Sequence, residues 1–197
     1  MTVRDEIIRK IIHLFTLVIP VGYMILPKGT VLLILSLASL VAVCVELARF
    51  RWFGFSRWFC RITGNLLREH ERSDLTGATY LLVGSFLTIL FFDKSIALTA
   101  LLFLIVSDAF GALVGKIWGR HFIYEDKTLE GSVVFLFTAL AIVFFIHDGH
   151  VMVGLIGVAV GFLIDVFGKR VDDNLTIPLG SGLVMQVLSY ILKLGHG

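Results

Sequence analysis

Charge is what this chain has little of. Only 16% of its 197 residues are Asp, Glu, Lys or Arg, against roughly 25% in soluble domains. Hydrophobic residues make up 57%, and mean hydropathy is +0.94. Those values exclude a soluble globular domain and leave a helical integral membrane protein. A net charge of +2 is too small to suggest a nucleic-acid partner. Cysteine is nearly absent: Cys44 lies in an apolar run and Cys60 in a basic one, which argues against a disulfide framework. The runs do not alternate apolar and polar residues, so a β-barrel is excluded. GxxxxGK[ST], the kinase HRD and DFG set and GxSxG are all missing. P-loop, protein-kinase and nucleophile-elbow chemistry drop out with them. The basic start (Arg4, Arg9, Lys10) before an apolar run resembles a signal peptide, but no small-x-small cleavage site follows. It is expected to be a retained first span.

About seven apolar segments remain, near 11–27, 30–48, 76–92, 95–115, 132–147, 151–168 and 178–194. They predict an all-α, polytopic bundle, a single membrane domain over 1–197. Several are close to the minimum of roughly 17 residues for a span. The gaps near Lys28 and Lys94 are tight turns. Segment 49–75 carries Arg49, Arg51, Arg57, Arg61, Arg68 and Arg72 among Trp52, Phe53, Phe55, Trp58 and Phe59. It is expected to form a basic, aromatic, amphipathic helix at the headgroup layer. With the N-terminus inside, 14 of the 17 basic residues fall on the cytoplasmic side, and only Lys28, Lys94 and Lys193 fall outside. The expected orientation is N-in, C-out, with every longer polar connection cytoplasmic.

The chemistry concentrates in 105–132 and 165–182. Asp108 sits in an apolar run and is followed by Gly111, Gly115 and Gly119, then by Lys116, Arg120, Lys127, Glu130 and Gly131. Carboxylate, close-approach glycines, cations and a second carboxylate are the groups that magnesium and a nucleotide need. The glycine spacing equally suits small-xxx-small helix packing. Thr128 is placed to cap the helix that follows. Asp108-Ala109-Phe110-Gly111 and Asp165-Val166-Phe167-Gly168 repeat the pattern D-x-F-G. On parallel helices both aspartates reach the same depth and can share a divalent cation; the alternative for Asp165 is a pair with Lys169 at i+4. Lys169, Arg170, Asp172, Asp173 and Asn174 follow, before Pro178 at a helix start. Three further readings are simpler. Glu46 pairs with Arg49, Asp74 caps the helix at Thr76-Gly77-Ala78, and His147-Asp148-Gly149-His150 is an outer turn.

At these residues the sequence resembles the CTP-dependent lipid-alcohol kinases: dolichol, phytol and farnesol kinases and the CTP-dependent diacylglycerol kinase. Four stretches carry the resemblance. They are Arg9-Lys10-Ile11-Ile12-His13-Leu14, Leu75-Thr76-Gly77-Ala78-Thr79-Tyr80, Ser107-Asp108 through Gly131-Ser132, and Asp172 through Leu179. The third is also similar to phosphatidate cytidylyltransferase, whose terminal K-D-x-G and P-G-H-G-G stretches are replaced here by DDNLTIPLGSG.

The resemblance implies CTP as phosphoryl donor, Mg²⁺ as cofactor and a lipid alcohol in the bilayer as acceptor, with an isoprenoid first and diacylglycerol second. Asp108, Asp165 and Asp173 would bind metal. Gly111, Gly115, Lys116, Arg120, Lys127, Lys169, Arg170 and Asn174 would hold the nucleotide. Lys127, Glu130, Asp172 and Asp173 would join Asp108 and Asp165 in catalysis, with Asp172 or Asp173 taking the hydroxyl proton. An isoprenoid tail is expected between helices lined by Gly77, Gly84, Gly157 and Gly161. A cytidylyltransferase and a small ion-coupled transporter are the alternatives. One sequence does not fix the oligomeric state, a homodimer being one option.

Overall fold

The computed structural model describes residues 3–195 apart from 65, 68–70, 72, 126, 147–149 and 169–170. Its elements are α1 (Val3–Phe15), α2 (Val18–Ile25), α3 (Lys28–Arg51), α4 (Phe53–Thr63), α5 (Gly77–Phe91), α6 (Lys94–Leu102), a π-helical turn (Phe103–Asp108), α7 (Ala109–Trp118), β1 (Phe122–Tyr124), β2 (Lys127–Thr128), α8 (Leu129–Phe145), α9 (Val151–Phe167) and α10 (Asp173–Gly195). Among the described residues the chain is all-α apart from one two-stranded antiparallel hairpin. Four helices are long and apolar enough to cross a membrane: Val3–Ile25, Lys28–Arg51, Lys94–Trp118 and Asp173–Leu194. Three shorter apolar helices, α5, α8 and α9, accompany them.

The rod built from α6, the π turn and α7 is the axis. Two thirds of its apolar window is buried, against 17% for each of the two N-terminal rods. Phe103, Leu104 and Ile105 are fully enclosed. Around this rod α8 packs on α7, α1 on α7, and α10 on α5, α6 and α9. The middle of the axial rod, Asp108 included, is therefore walled by other helices, whereas its end at Trp118 is exposed. The π turn ends at Asp108 itself; such turns insert one residue per helical turn and re-aim the side chains that follow.

Glycines set the closest approaches. A Cβ on Gly131 would lie 2.6 Å from Gly111 O, and one on Gly115 2.8 Å from Thr128 Oγ1. The Gly111/Gly115/Gly131 face is thus the seam between α7 and α8. Gly84 lets α5 close on the carbonyl of Asn174, where a Cβ would stand 2.6 Å away. That carbonyl lacks the usual helical partner because Pro178, four residues on, has no N–H.

Five expectations are revised here. The first helix begins at Val3, not near residue 11; its opening turns are partly exposed, and Lys10, 2% exposed, is the one residue they bury in the bundle. Segment 49–75 is not one interfacial helix. Arg49 ends α3 and is buried, pairing with Glu46 at 2.6 Å and donating to the carbonyls of Glu71 and Asp74. Among the described residues of this segment, only α4 fits the basic-aromatic description, with Arg57 stacked 4.5 Å from the Phe53 ring. Helix α5 is not capped by Asp74: Glu46 accepts from Thr76 N at 3.0 Å and Glu71 from Gly77 N at 2.9 Å. Pro178 lies inside α10, which starts at Asp173. Lastly, Gly77, Gly84 and Gly157 are no track for a lipid tail, since Asn174, its carbonyl and Met185 fill the space above them. His147, Asp148 and Gly149 lie outside the described residues.

Candidate active site

Six chain segments meet at one end of the bundle: the first turns of α1, the start of α5 with Asp74 before it, Asp108 with α7 after it, the hairpin and start of α8, the end of α9 and the start of α10. They enclose a cavity of about 1020 Å³. Asp108, Asp165 and Asp173 line it, and each brings one carboxylate oxygen within 4.8 Å of the others. Asp108 and Asp165 are both 5% exposed. Three carboxylates cannot sit that close out of water without compensating charge.

Two lysines supply it. Lys10 Nζ is 2.5 Å from Asp108 Oδ2. Lys127 Nζ is 2.6 Å from Asp165 Oδ1 and 3.8 Å from Asp173 Oδ2. Asp165 thus draws a partner from the hairpin; the pairing with Lys169 expected from the sequence lies outside the described residues. Burial works against the charge on Lys127, but Asp165, Asp108 and Asp173 outweigh it, and its pKa stands above the ordinary lysine value.

The hairpin is what brings Lys127 here. Tyr124 pairs with Lys127 across a two-residue connection, and Phe122 with Thr128. Glu125 opens that connection at φ 45°, as primed hairpin turns require. Thr128 then caps α8 by accepting from Gly131 N at 3.3 Å, as its position in sequence suggested.

The other expected site residues divide. Gly111, Gly115, Lys116 and Asp172 line the cavity with the cluster. Asp172 also caps α10, accepting from Asn174 N at 2.9 Å. Asn174 itself is buried beneath α5, beside Gly77. Glu130 pairs with the exposed His121 at 2.8 Å, and neither it nor Arg120 is among the cavity residues. Lys169 and Arg170 lie outside the described residues.

Sequence reasoning passed over Lys10, Tyr80 and Ser132. Lys10 stood inside one of the four family-like stretches, but nothing in its spacing pointed to Asp108. Tyr80 lines the cavity and donates to Asp74 Oδ1 at 3.3 Å. Ser132 is a cavity residue whose buried hydroxyl finds no protein partner among the described residues. In the sequence it stood out only as the end of K-T-x-E-G-S. The set offers hard oxygen ligands suited to Mg²⁺, with cations and a hydroxyl beside them for phosphate oxygens.

Comparison with known proteins adds the context. The CTP-dependent diacylglycerol kinase of Schizosaccharomyces pombe is 26% identical over 94% of this chain and 94% of its own length. Over nearly its whole length the chain is similar to a CTP-dependent diacylglycerol kinase. The Saccharomyces cerevisiae CTP-dependent diacylglycerol kinase is 27% identical over 96% of this chain and 76% of its own length. An uncharacterized protein of Rickettsia prowazekii is 27% identical over 93% of this chain and 95% of its own. No family model matches, and no solved structure does.

Proposed function

We propose that this protein transfers the γ-phosphoryl group of CTP to the hydroxyl of a membrane lipid alcohol, with diacylglycerol as the first acceptor to test. The observation that carries the reading is the cluster of Asp108, Asp165 and Asp173 with Lys10 and Lys127 in one enclosed cavity, in a chain whose similarity to CTP-dependent diacylglycerol kinases runs nearly end to end. Those relatives' names favour diacylglycerol over the isoprenoid alcohols, which become the second acceptor. The filled spaces above Gly77, Gly84 and Gly157 also remove the argument that had favoured an isoprenoid.

In this mechanism Asp108, Asp165 and Asp173 hold Mg²⁺, which when bound neutralises charge on the phosphates. Lys127 and Lys116 bind phosphate oxygens, and Ser132 Oγ donates to one more. Lys10 keeps Asp108 ionised and fixed. Asp172, lining the cavity outside the metal set, accepts the proton as the lipid oxygen bonds to the γ-phosphorus. The bond from that phosphorus to the β–γ bridging oxygen breaks, and CDP leaves. Packed helix buries Asp108 and Asp165 at the floor of the cavity, both 5% exposed, which limits the water that competes with the alcohol there.

The cavity is assigned to the cytoplasmic side, because basic residues crowd the segments that border it. The test is product analysis with purified protein, CTP and a panel of lipid alcohols. CDP with a phosphorylated lipid supports the reading. Pyrophosphate with a CDP-lipid overturns it in favour of a cytidylyltransferase, and neither product overturns it in favour of transport.

A further inference from the structure

The hairpin that delivers Lys127 also carries an unusual load of exposed apolar groups. All three residues of β1, Phe122, Ile123 and Tyr124, are exposed, and Phe122 is 70% so. In water that strand would be a poor design. Its level in the structure explains it. The axial rod Lys94–Trp118 has 25 residues, about 37 Å at 1.5 Å per residue, which exceeds a hydrocarbon core of roughly 30 Å. Helix α8 on the other side of the hairpin has 17 residues, about 25 Å. Joined to both, the hairpin sits at the membrane edge, with the exposed Trp118 beside it.

One of these apolar groups also reaches inward, and an exposed residue of a neighbouring segment joins it. Phe122 lines the carboxylate cavity, and so does Val171, from the α9–α10 connection. Both are exposed as well, so each belongs at once to the cavity wall and to the outer surface. Tyr124 closes the arc by packing on Phe167 at the end of α9, with ring centroids 5.5 Å apart. Phe167 is itself exposed. An apolar margin therefore runs from the bilayer level into a cavity otherwise lined largely by charged residues and glycines.

We propose that Phe122, Tyr124, Phe167 and Val171 form the portal for the lipid acceptor. The apolar chain lies against these four side chains while the hydroxyl enters beside Asp165 and Lys127. The inference rests on the lipid-kinase reading for its occupant. A water-soluble acceptor would need no apolar margin at the cavity mouth, and a lipid alcohol cannot bring its hydroxyl to a buried cluster without one.

Two measurements on the full chain in nanodiscs test it. In the first, Phe122→Trp is compared with the unaltered protein as diacylglycerol with brominated acyl chains is added. Extra quenching of the added tryptophan supports the portal, and quenching equal to that of the unaltered protein overturns it. The second is kinetic. Phe122→Ser should raise the KM for long-chain diacylglycerol about tenfold, the change produced by losing roughly 1.4 kcal/mol of apolar contact. Its KM for CTP should move by less than about twofold, as should the lipid KM of Ile123→Ser, an exposed neighbour that does not line the cavity. An unchanged lipid KM, or equal effects from the two variants, overturns the portal while leaving kinase activity in place. If the unaltered protein makes no CDP with any lipid alcohol, the kinase reading fails; the quenching result then still decides whether lipid lies at the hairpin.

Discussion

Lys10 and Asp108, 98 positions apart in sequence, form an ion pair with Nζ 2.5 Å from Oδ2, both side chains no more than 6% exposed. One charge comes from the first helix and the other from the end of the π turn in the axial rod. The pair ties α1 to the wall of the cavity, and it holds Asp108 beside two other carboxylates.

Lys10→Met should therefore strand a buried carboxylate. Breaking a buried pair from one side costs about 3–5 kcal/mol, to be read as a lower thermal midpoint in detergent. Lys10→Met combined with Asp108→Asn should recover most of that midpoint but none of the turnover. A double variant as unstable as the single one would show that the pair does not hold α1 in place.

The carboxylate cluster predicts a metal requirement. Chelation should stop turnover and Mg²⁺ should restore it. Asp108→Asn, Asp165→Asn and Asp173→Asn should each lower kcat on the order of 10²–10³-fold, comparable to losing one preorganised electrostatic contact. Mn²⁺ titration followed by electron paramagnetic resonance reads the site without activity. Unchanged Mn²⁺ affinity in all three variants would rule out the shared site.

Lys127 and Arg57 separate the site from the surface. Lys127→Ala should cost on the order of 10²-fold in turnover, whereas Arg57→Ala, which loses only its stacking on exposed Phe53, should stay within about twofold. The pH dependence of the Lys127 contribution follows from its raised pKa. A base held more strongly in the folded state contributes stability that is fully present below its unfolded pKa and is lost only as pH rises through the higher folded value. The difference in thermal midpoint between the unaltered protein and Lys127→Ala should thus be flat from about pH 6 to 9. A difference that falls across that window would mean that Lys127 titrates there.

Glycine substitutions should divide by packing. Gly131→Ala places a methyl 2.6 Å from Gly111 O and 3.1 Å from Gly115 Cα, and forcing α7 from α8 should cost about 1–3 kcal/mol. Gly22 and Gly29 are helical, and a methyl added at either would meet nothing within 4 Å. Alanine there should be neutral or stabilising by up to about 1 kcal/mol. Midpoints measured in one detergent settle the order.

Orientation is open to a direct check. In a background free of Cys44 and Cys60, cysteine at His121 should resist a membrane-impermeant thiol reagent in intact cells, while cysteine at Lys94 should react. The reverse pattern would turn the cavity to the other side.

Composition decided for a membrane protein, and the absence of apolar–polar alternation decided for helices over a closed barrel, the two ways a chain in lipid satisfies its backbone. Local rules decided Thr128 as a cap and the pairing of Glu46 with Arg49, since both act within one helical turn. Asp108 and Asp165 were legible as candidate site residues for a related reason: a carboxylate in an apolar run is costly unless it is used. Tertiary structure decided their partners. Lys10 reaches Asp108 and Lys127 reaches Asp165 only once α1 and the hairpin have docked, and no periodicity encodes a contact between distant segments. It also gave the glycines their packing role, by bringing Gly131 against Gly111 and Gly115, while all three line the cavity as well. The π turn, Glu71 as a cap and Ser132 in the cavity wall were beyond sequence reasoning for the same reason. Each depends on what packs beside the chain, and burial against other helices sets that, not the local order of residues.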